Sequence, residues 1–420
     1  MLISGLILLI TYVFIALDRV PKSVVALVGA SVTLLLGLYG HNPVFEHVAF
    51  DVIFLLAGMM IIVHIAAASG IFKWMAIELL GFTKGNPVIV LFALAAFTAV
   101  ASAFLDNVTT VVLVMPVTFI IAKEFDIDPV PFLITEILAS NIGGTATLIG
   151  DPPNIIIGAR AGLSFMDFVN ELTGIIAIIF VICMAVLVFM FRKQLIAAPE
   201  KMQQVANLDN SETITDRRLM IRSMITLALV ITGFVTHDIT HIPAYVFAVA
   251  GASFLLLFEK PEKIYKNIEW LTIFFFIGLF IIIGAFEVTG GISFLAQKLI
   301  ELTHGSLKLA TMLILWGSGI LSGIVDNIPY TATMAPMIAQ VQHTMPYAGC
   351  GHNPLWWALS LGACLGGNLT IIGAAANVIV SETAETNGYH ISFFRFMKYG
   401  ALVTLISLAL SSAYLLVKYF

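Results

Sequence analysis

The chain has 420 residues, of which 60% are hydrophobic and 11% are charged, and its formal net charge is −5. Soluble domains carry roughly 25% charged residues, so this composition excludes a protein whose whole surface faces water. Apolar runs of about 17 residues or more recur along the chain, as membrane-spanning helices require. We therefore predict an all-α polytopic membrane protein, organised as a helix bundle rather than as soluble domains.

The first half, residues 1–191, is predicted to contain three spans, a pair of closely spaced apolar stretches, a Gly/Pro-rich segment and a last span. Residues 1–17 have no basic segment before them and no cleavage site of small residues after them. We therefore interpret them as a span and not as a signal peptide. The predicted segments are 2–17, 23–38, 51–69, the pair 87–105 and 108–122, the Gly/Pro-rich segment 131–158, and 173–191.

A hydrophilic linker, residues 192–222, separates this half from the second, residues 223–420, in which the same order of segments returns. The predicted segments there are 223–236, 244–258, 271–288, the pair 307–325 and 328–343, the Gly-rich segment 354–381, and 399–417. The order of segments therefore predicts an internal repeat.

Local sequence matches support this repeat. Each pair of apolar stretches is divided by an Asp-Asn dipeptide, Asp106-Asn107 in the first half and Asp326-Asn327 in the second. A Gly-Gly pair follows each dipeptide, and then comes TLIGDPPN in the first half and TIIGAAAN in the second. An internal repeat built around broken hydrophobic segments is typical of secondary transporters.

The distribution of Lys and Arg predicts how the chain crosses the membrane. We interpret each pair of stretches as a re-entrant hairpin, so that each half keeps an odd number of spans and the second half is inverted. With the linker in the cytoplasm, the only basic residues on the other side are Arg160, Lys298, Lys308 and Lys418. We therefore predict two inverted repeats in the inner membrane, with about ten spans, hairpins at 87–122 and 307–343, and broken helices at 131–158 and 354–381.

Asp106 and Asp326 are the first candidates for the chemistry of the protein. A carboxylate inside a membrane span is costly unless it is paired or hydrated, and here two occur at equivalent positions. We predict that both bind protons or cations; capping of the following helix is the alternative. Asp151 is a third candidate for proton binding, because the second half has Ala374 at the matching position.

Amide, hydroxyl and glycine residues near the dipeptides and the Gly-rich segments are predicted to bind the substrate. Glycine permits unwound backbone, which membrane proteins tolerate only where it lines a cavity or is buried in protein. Hydrogen bonding between helices and close packing are the alternatives. The predicted substrate-binding set is Asn107, Thr109, Thr110, Asn141, Gly143, Gly144, Thr145, Thr147, Asn154, Asn327, Thr331, Gly366, Gly367, Asn368, Thr370 and Asn377.

Weaker candidates are the two acids Glu136 and Glu287, which lie in apolar runs, and Cys364 beside the second Gly-Gly pair. The three cysteines are too few and too scattered for a disulfide framework or a metal site. No GxxxxGK[ST] motif is present, so ATP is not used directly within this chain, and a soluble partner ATPase subunit stays open. We predict no cofactor, no metal site, no enzymatic activity and no nucleic-acid partner.

The segments FLDNVTT, NIGGTATLIGDPPNIIIG, DNIPYTATM and GACLGGNLTIIGAAANV resemble the ion transporter superfamily, in particular the branch of arsenite efflux pumps, sodium/proton antiporters and the melanosomal P protein. The resemblance implies a scaffold domain, a transport domain and alternating access, often by an elevator-like movement. Many relatives are dimers through their scaffold domains, which suggests a homodimer. Asp replaces Ser of the dicarboxylate branch at both hairpin tips, which argues against a divalent anion as substrate.

Together these features predict a secondary transporter that exchanges arsenite or antimonite for protons and expels it across the inner membrane. Asp106 and Asp326 would bind protons alternately with the substrate, and Asn107, Asn327, Thr147 and Thr370 would position it. Sodium/proton exchange through the same carboxylates is the main alternative. An anion-permeation pathway of the P-protein type is a second alternative.

Overall fold

The structure is a computed structural model that describes residues 1–17, 19–206, 210, 213–266, 268–349 and 351–420. Cys350 and part of the predicted linker, at 207–209 and 211–212, lie outside the described residues. Within the described ranges the secondary structure is helical and contains no strand, which confirms the predicted all-α class.

The helices follow the predicted order of segments. The first half and the linker contain α1 (Leu2–Leu17), α2 (Lys22–Leu35), α3 (Phe50–Ala68), α4 (Ile71–Phe82), α5 (Pro87–Phe104), α6 (Asn107–Phe125), α7 (Val130–Gly144), α8 (Pro152–Ala161), α9 (Phe165–Phe191) and α10 (Pro199–Ala206). The second half contains α11 (Arg217–Val235), α12 (His237–Thr240), α13 (Ala244–Leu256), α14 (Pro261–Tyr265), α15 (Trp270–Val288), α16 (Gly291–Leu302), α17 (Leu307–Val325), α18 (Asn327–Thr344), α19 (Pro354–Gly366), α20 (Ala375–Thr386) and α21 (Phe393–Tyr419). Among the described residues, eight helices are long and apolar enough to cross a membrane.

Each Asp-Asn dipeptide ends one helix and begins the next. The carboxylate of Asp106 accepts a hydrogen bond from the backbone N–H of Thr109 at 2.8 Å, which caps α6. The carboxylate of Asp326 accepts one from the N–H of Ile328 at 3.0 Å, which caps α18. Since Asp side chains satisfy the free N–H groups at helix starts, the dipeptides divide α5 from α6 and α17 from α18. We call these dipeptides the first tip and the second tip.

The broken helices are interrupted at matching places. The first break, residues 145–151, separates α7 from α8, and the second break, residues 367–374, separates α19 from α20. Asp151 and Ala374 end the breaks with the same extended backbone, at φ −144° and φ −149°. Proline then begins α8, which suits the first position of a helix, whereas the second repeat has alanine there.

Each hairpin reaches only as deep as the break of its own repeat. The hydroxyl of Thr147 donates to the carbonyl of Ala103 near the end of α5, and the hydroxyl of Thr370 donates to the carbonyl of Gly323 at 2.6 Å near the end of α17. The hairpin helices have 18 or 19 residues, long enough for spans by length alone. The tips lie level with the breaks, and the re-entrant path of the hairpins in the membrane stays a prediction.

The two halves exchange contacts reciprocally. Helix α2 of the first half packs against α15, and α13 of the second half packs against α3. Likewise α6 contacts α20, and α18 contacts α8. Such an exchange is what two repeats related by a pseudo-two-fold axis produce. It places both tips and both breaks at the centre of the molecule.

The hydrophobic runs did not predict five shorter helices, α4, α10, α12, α14 and α16. Helices α4 and α16 follow Gly70 and Gly290, which share a left-handed φ of 85°. Each of these two helices has only 12 residues and carries two charged side chains, so neither forms a long apolar run. Helix α10 lies in the predicted linker and packs on α4 and α6. The backbone N–H of Thr215 also donates to the carbonyl of Ser69 at 3.0 Å, so this part of the linker lies against the first repeat.

Candidate functional site

The two tips meet at the carboxylate of Asp151, which is fully buried at the end of the first break. The amide of Asn327, from the second tip, lies 3.3 Å from its Oδ1 atom and 3.2 Å from its Oδ2 atom. The amide of Asn107, from the first tip, lies 3.4 Å from Oδ1. One acid of the first repeat is thus the shared acceptor of both tips.

A chain of amides continues from this point into the second repeat. Asn107 donates to the Oδ1 atom of Asn141 at 3.1 Å. The amide of Asn141 in turn donates to the Oδ1 atoms of Asn368 and Asn377, both at 2.9 Å. All four residues are buried. A buried amide network in which each member is bonded fixes the relative position of the elements that carry it.

Asn154 and Asn377 hold the unwound backbone of the breaks. The amide of Asn154 donates to the carbonyls of Thr145 and Thr147 at 3.1 and 2.8 Å. The amide of Asn377 donates to those of Gly367 and Thr370 at 2.8 and 2.9 Å. Free carbonyls at membrane depth require such partners. The equivalence of the two residues, seen first as a sequence match, therefore has a structural cause.

The acids of the two tips have different partners. The carboxylate of Asp106 is partly buried, and the hydroxyl of Thr109 donates to it at 2.5 Å, in addition to the capping bond. The carboxylate of Asp326 is 1% exposed and forms an ion pair with Lys22 of α2 at 2.6 Å. Within the described residues, Asp106 and Asp151 have no such cationic partner.

A cavity of about 40 Å³ lies beside the first tip, and we call it the central cavity. Because pockets for drug-sized ligands measure roughly 300–1,000 Å³, this cavity suits only a small solute. Its polar walls are the acids Asp106, Asp151 and Glu269, together with Asn107, Asn327 and Thr272. No Lys, Arg or His of the described residues lines it. The lining is therefore acidic and rich in oxygen.

Glu269 was not among the predicted site residues. It precedes α15, is half-buried, and accepts a hydrogen bond from the hydroxyl of Thr272 at 3.0 Å. In the sequence it stands just before a long apolar run. An acid at such a position is normally interpreted as a residue at the membrane surface. The signal that could have found it is the reciprocal packing of the halves, which brings the start of α15 to the first tip.

The hydroxyls and glycines of the predicted substrate set serve mainly local structure. Thr110 donates to the carbonyl of Asp106 at 2.9 Å, and Thr145 donates to that of Asn141 at 2.7 Å. A side chain on Gly143 would meet the carbonyl of Ala99 at 2.0 Å, so this glycine permits α7 to pack on α5. Gly144, Gly366 and Gly367 also contact neighbouring backbone closely. Thr331 differs, because its buried hydroxyl has no hydrogen-bond partner within the described part of the chain.

Of the weaker candidates, Glu136 and Glu287 lie apart from the central cavity, whereas Cys364 contacts the site acid Asp151. Glu136 is 2% exposed and accepts a hydrogen bond from the hydroxyl of Thr118 at 2.5 Å. Glu287 is partly exposed and pairs with Arg160. Cys364 is buried, and its thiol lies 3.4 Å from the Oδ1 atom of Asn154. Among the described residues, no group of three or more His, Cys, Asp or Glu side chains is placed to hold a metal ion.

Two larger cavities open near the start of α3. One of about 160 Å³ is lined by Asp51, Arg160 and Glu287, and one of about 270 Å³ is lined by Asp51 and His237. The central cavity touches α3 at Leu56 and beyond, one turn or more deeper along the same helix. The wider cavities thus lie at the end of α3 that carries Asp51, and no tip residue lines them.

Comparison with known proteins places the chain in a family. The citrate transporter family CitMHS matches residues 12–362. An uncharacterized transporter of Mycobacterium bovis is 43% identical over 97% of this chain and 96% of its own length. A 46 kDa membrane protein of Mycobacterium leprae is 42% identical over 98% and 97%.

The human P protein is 30% identical over 97% of this chain, which spans 59% of that longer protein. This match confirms the resemblance to the P-protein branch of the ion transporter superfamily. The crystal structure of the YdaH transporter of Alcanivorax borkumensis has the same fold, with a TM-score of 0.56 and 14% identity over 90% of this chain and 88% of that one. The chain is a multi-pass membrane transporter that belongs to the CitMHS citrate transporter family.

Proposed function

We propose that the chain is a proton-coupled secondary transporter that expels arsenite or antimonite from the cell through the site between the two tips. Asp151 and Asp106 bind the coupling protons, and the amides of the tips and of Asn141 orient the substrate. In this proposal the protein lies in the inner membrane with the linker in the cytoplasm. It works without a bound cofactor.

The observation that carries the proposal is the position of Asp151. A carboxylate at membrane depth without a cationic partner marks an ion pathway or a proton relay. The amide partners of Asp151 come from both hairpins at once, and the thiol of Cys364 is a further partner of its carboxylate. Its protonation state therefore changes the hydrogen bonds that hold the first tip and the second tip together. A single proton can in this way bias a two-state arrangement of the hairpins.

The charge of the central cavity restricts the substrate. Free citrate carries several negative charges, and three acids line the cavity without a basic residue of the described chain. Like charges in a desolvated site repel strongly. Arsenite near neutral pH is largely the neutral trihydroxide, whose O–H groups can donate to carboxylate and amide oxygens. The cavity therefore favours a neutral hydroxylated solute over a free anion.

Sodium/proton exchange is the second candidate, and the lining of the central cavity favours it. Carboxylate, amide and hydroxyl oxygens line this cavity, and such oxygen ligands suit a hard metal cation. The anion-permeation alternative has less support, because a pathway for anions needs basic residues or free N–H groups along it. The larger cavities beside α3 would form the outward opening in either case.

Transport into liposomes that contain the purified protein and an internal pH dye tests the proposal. We expect an arsenite or antimonite gradient to drive proton movement in the opposite direction, without sodium. Proton movement that follows a sodium gradient instead supports the second candidate. Citrate offered alone and with magnesium provides the family-based comparison. If the protein takes up citrate but moves neither arsenite nor sodium, both assignments are wrong.

A further inference from the structure

Lys22 gives the second tip a cation that the first tip lacks. It is the first residue of α2, and its Nζ atom lies 2.6 Å from the Oδ2 atom of Asp326. The other oxygen of this carboxylate accepts the N–H of Ile328, so both oxygens are occupied. The acid is 1% exposed, whereas the Lys22 side chain is 19% exposed. The ion pair with Lys22 therefore covers the Asp326 carboxylate on the side that faces α2.

The first tip has an acidic neighbour instead of a basic one. There the acid Glu269, from the start of α15, shares the central cavity with Asp106. Neither Asp326 nor Lys22 lines that cavity. The packing of α2 and α15 against each other thus brings a base to one tip and an acid to the other.

We propose that Lys22 is a tethered counter-ion that permanently fills the cation position of the second tip, so that coupling ions bind at Asp106 and Asp151, which line the central cavity, and not at Asp326. This inference deepens the proposed function and rests on it for the meaning of a coupling ion. A buried carboxylate must be neutralised by a proton, a metal cation or a basic side chain. A lysine held by the fold is always close by, so a free ion cannot compete with it.

Three groups face Asp326 and determine the surroundings of its carboxylate when Lys22 is replaced. These are Lys22 of α2, the hydroxyl of Tyr12 of α1, and Asp151 at the end of the first break. Tyr12 donates to the carbonyl of Pro329 at 2.5 Å and supplies no charge. Removal of Lys22 therefore leaves Asp326 beside another acid, and it must take up a proton or a sodium ion.

Thermal denaturation of the purified protein without substrate tests this inference. The variants are Lys22→Met, Lys22→Arg and the double variant Lys22→Met/Asp326→Asn, in which Asn still caps α18. The exposed Lys73, changed to Met, is the matched control. Each protein is titrated with sodium chloride against N-methyl-D-glucamine chloride at constant ionic strength, and then with pH.

We expect Lys22→Met to be stabilised by sodium or by falling pH more than the wild type, in which only Asp106 and Asp151 bind these ions. The double variant, Lys22→Arg and the Lys73→Met control should keep the wild-type dependence. If Lys22→Met does not fold, recovery of folding in the double variant supports the same conclusion.

The inference is wrong if Lys22→Met responds to sodium and pH as the wild type does, or if the double variant keeps the new dependence or fails to fold. Because no transport is measured, this result is separate from the liposome assay. A wild-type protein that moves neither arsenite nor sodium would refute the proposed function and leave the binding result standing.

Discussion

The first and second tips carry the same dipeptide at equivalent positions, yet their acids differ in backbone and in charge. Asp106 has an ordinary extended conformation with φ −69°, and its carboxylate faces the central cavity. Asp326 has φ 98°, a region that favours glycine, and its carboxylate is paired with Lys22. The repeat thus fixes the fold of both tips, while residues outside the repeat motif decide what each tip can bind.

The unusual backbone of Asp326 is consistent with this division. A non-glycine residue in such a conformation costs about 1–3 kcal/mol and persists only where its surroundings hold it. The ion pair and the cap of α18 both act on the Asp326 side chain. The second tip is therefore held in one arrangement, whereas Asp106 has no partner from outside its own hairpin among the described hydrogen bonds.

The largest expected effect concerns the contact that places each hairpin against its broken helix. In Gly143→Ala the new Cβ would lie 2.0 Å from the carbonyl of Ala99, and in Gly366→Ala it would lie 2.6 Å from that of Gly319. We expect each change to lower the free energy of unfolding by about 3 kcal/mol, because backbone cannot move aside. Thermal denaturation in detergent measures this loss.

The matched control for these glycines is Gly174→Ala in α9, where no atom lies within 4 Å of the new Cβ. This variant should gain roughly 0.5–1 kcal/mol of stability, as a helical alanine does. A stable Gly143→Ala protein would contradict the close packing of the first hairpin. If only one of the variants Gly143→Ala and Gly366→Ala loses stability, the two repeats are not structurally equivalent at this contact.

The next effect concerns the amides that join the tips to Asp151. Asn327→Ala removes contacts to both carboxylate oxygens, and Asn107→Ala removes a longer contact to one. Hydrogen bonds to a charged group contribute about 1.5–3 kcal/mol, so we expect coupled transport to fall by about 10-fold to 100-fold. The initial rate in liposomes should fall more for Asn327→Ala.

Asn387→Ala, at the exposed end of α20, is the control for these variants and should transport as the wild type does. Full activity of Asn327→Ala would show that the second tip does not act on Asp151.

A smaller effect is expected for the hydroxyls that join each break to its hairpin, and it should be equal in the two repeats. Thr147→Val and Thr370→Val each remove one hydrogen bond to a backbone carbonyl. The expected loss is about 1 kcal/mol of stability in each case, which thermal denaturation can resolve. Because these bonds are equivalent in the two repeats, a loss in transport without a loss in stability would assign these threonines to the substrate instead.

The smallest effect is expected at the outer rim. Arg160 of α8 pairs with Glu287 of α15, and the Arg160 side chain is 41% exposed. Ion pairs with this exposure contribute about 0–1 kcal/mol, so Arg160→Gln should change stability little. A large loss of transport in this variant would show that the pair controls the movement of α8 against α15.

The sequence was sufficient for the helical class, the repeat and the position of both hairpins, because long apolar runs and matching polar dipeptides are local signals. The breaks were also predicted, because glycine permits unwound backbone and the pair Pro152-Pro153 cannot continue a helix. Helices α4 and α16 were not predicted, because each has only 12 residues and two charged side chains and so does not resemble a membrane span.

The site was predicted only in part. The sequence predicted five site residues that the structure brings together around the tips: Asp106, Asn107, Asp151, Asn327 and Asp326. Lys22 and Glu269 were not named, because they reach the tips only through the packing of α2 and α15, which joins distant parts of the chain. No local pattern indicates that a lysine near the start of the chain pairs with Asp326. The identity of the substrate, which no local pattern encodes, stays a proposal.

The central claim is that Asp151 is the shared coupling acid of both tips, and proton flux through Asp151→Asn protein tests it most directly. The control is Asp126→Asn, at an exposed helix end with a left-handed backbone that asparagine accepts. We predict that an arsenite gradient moves protons in the wild type and in the control. In Asp151→Asn, proton movement should be absent although the protein folds and still exchanges arsenite across the membrane. Arsenite-driven proton flux at the wild-type rate in Asp151→Asn would contradict the claim.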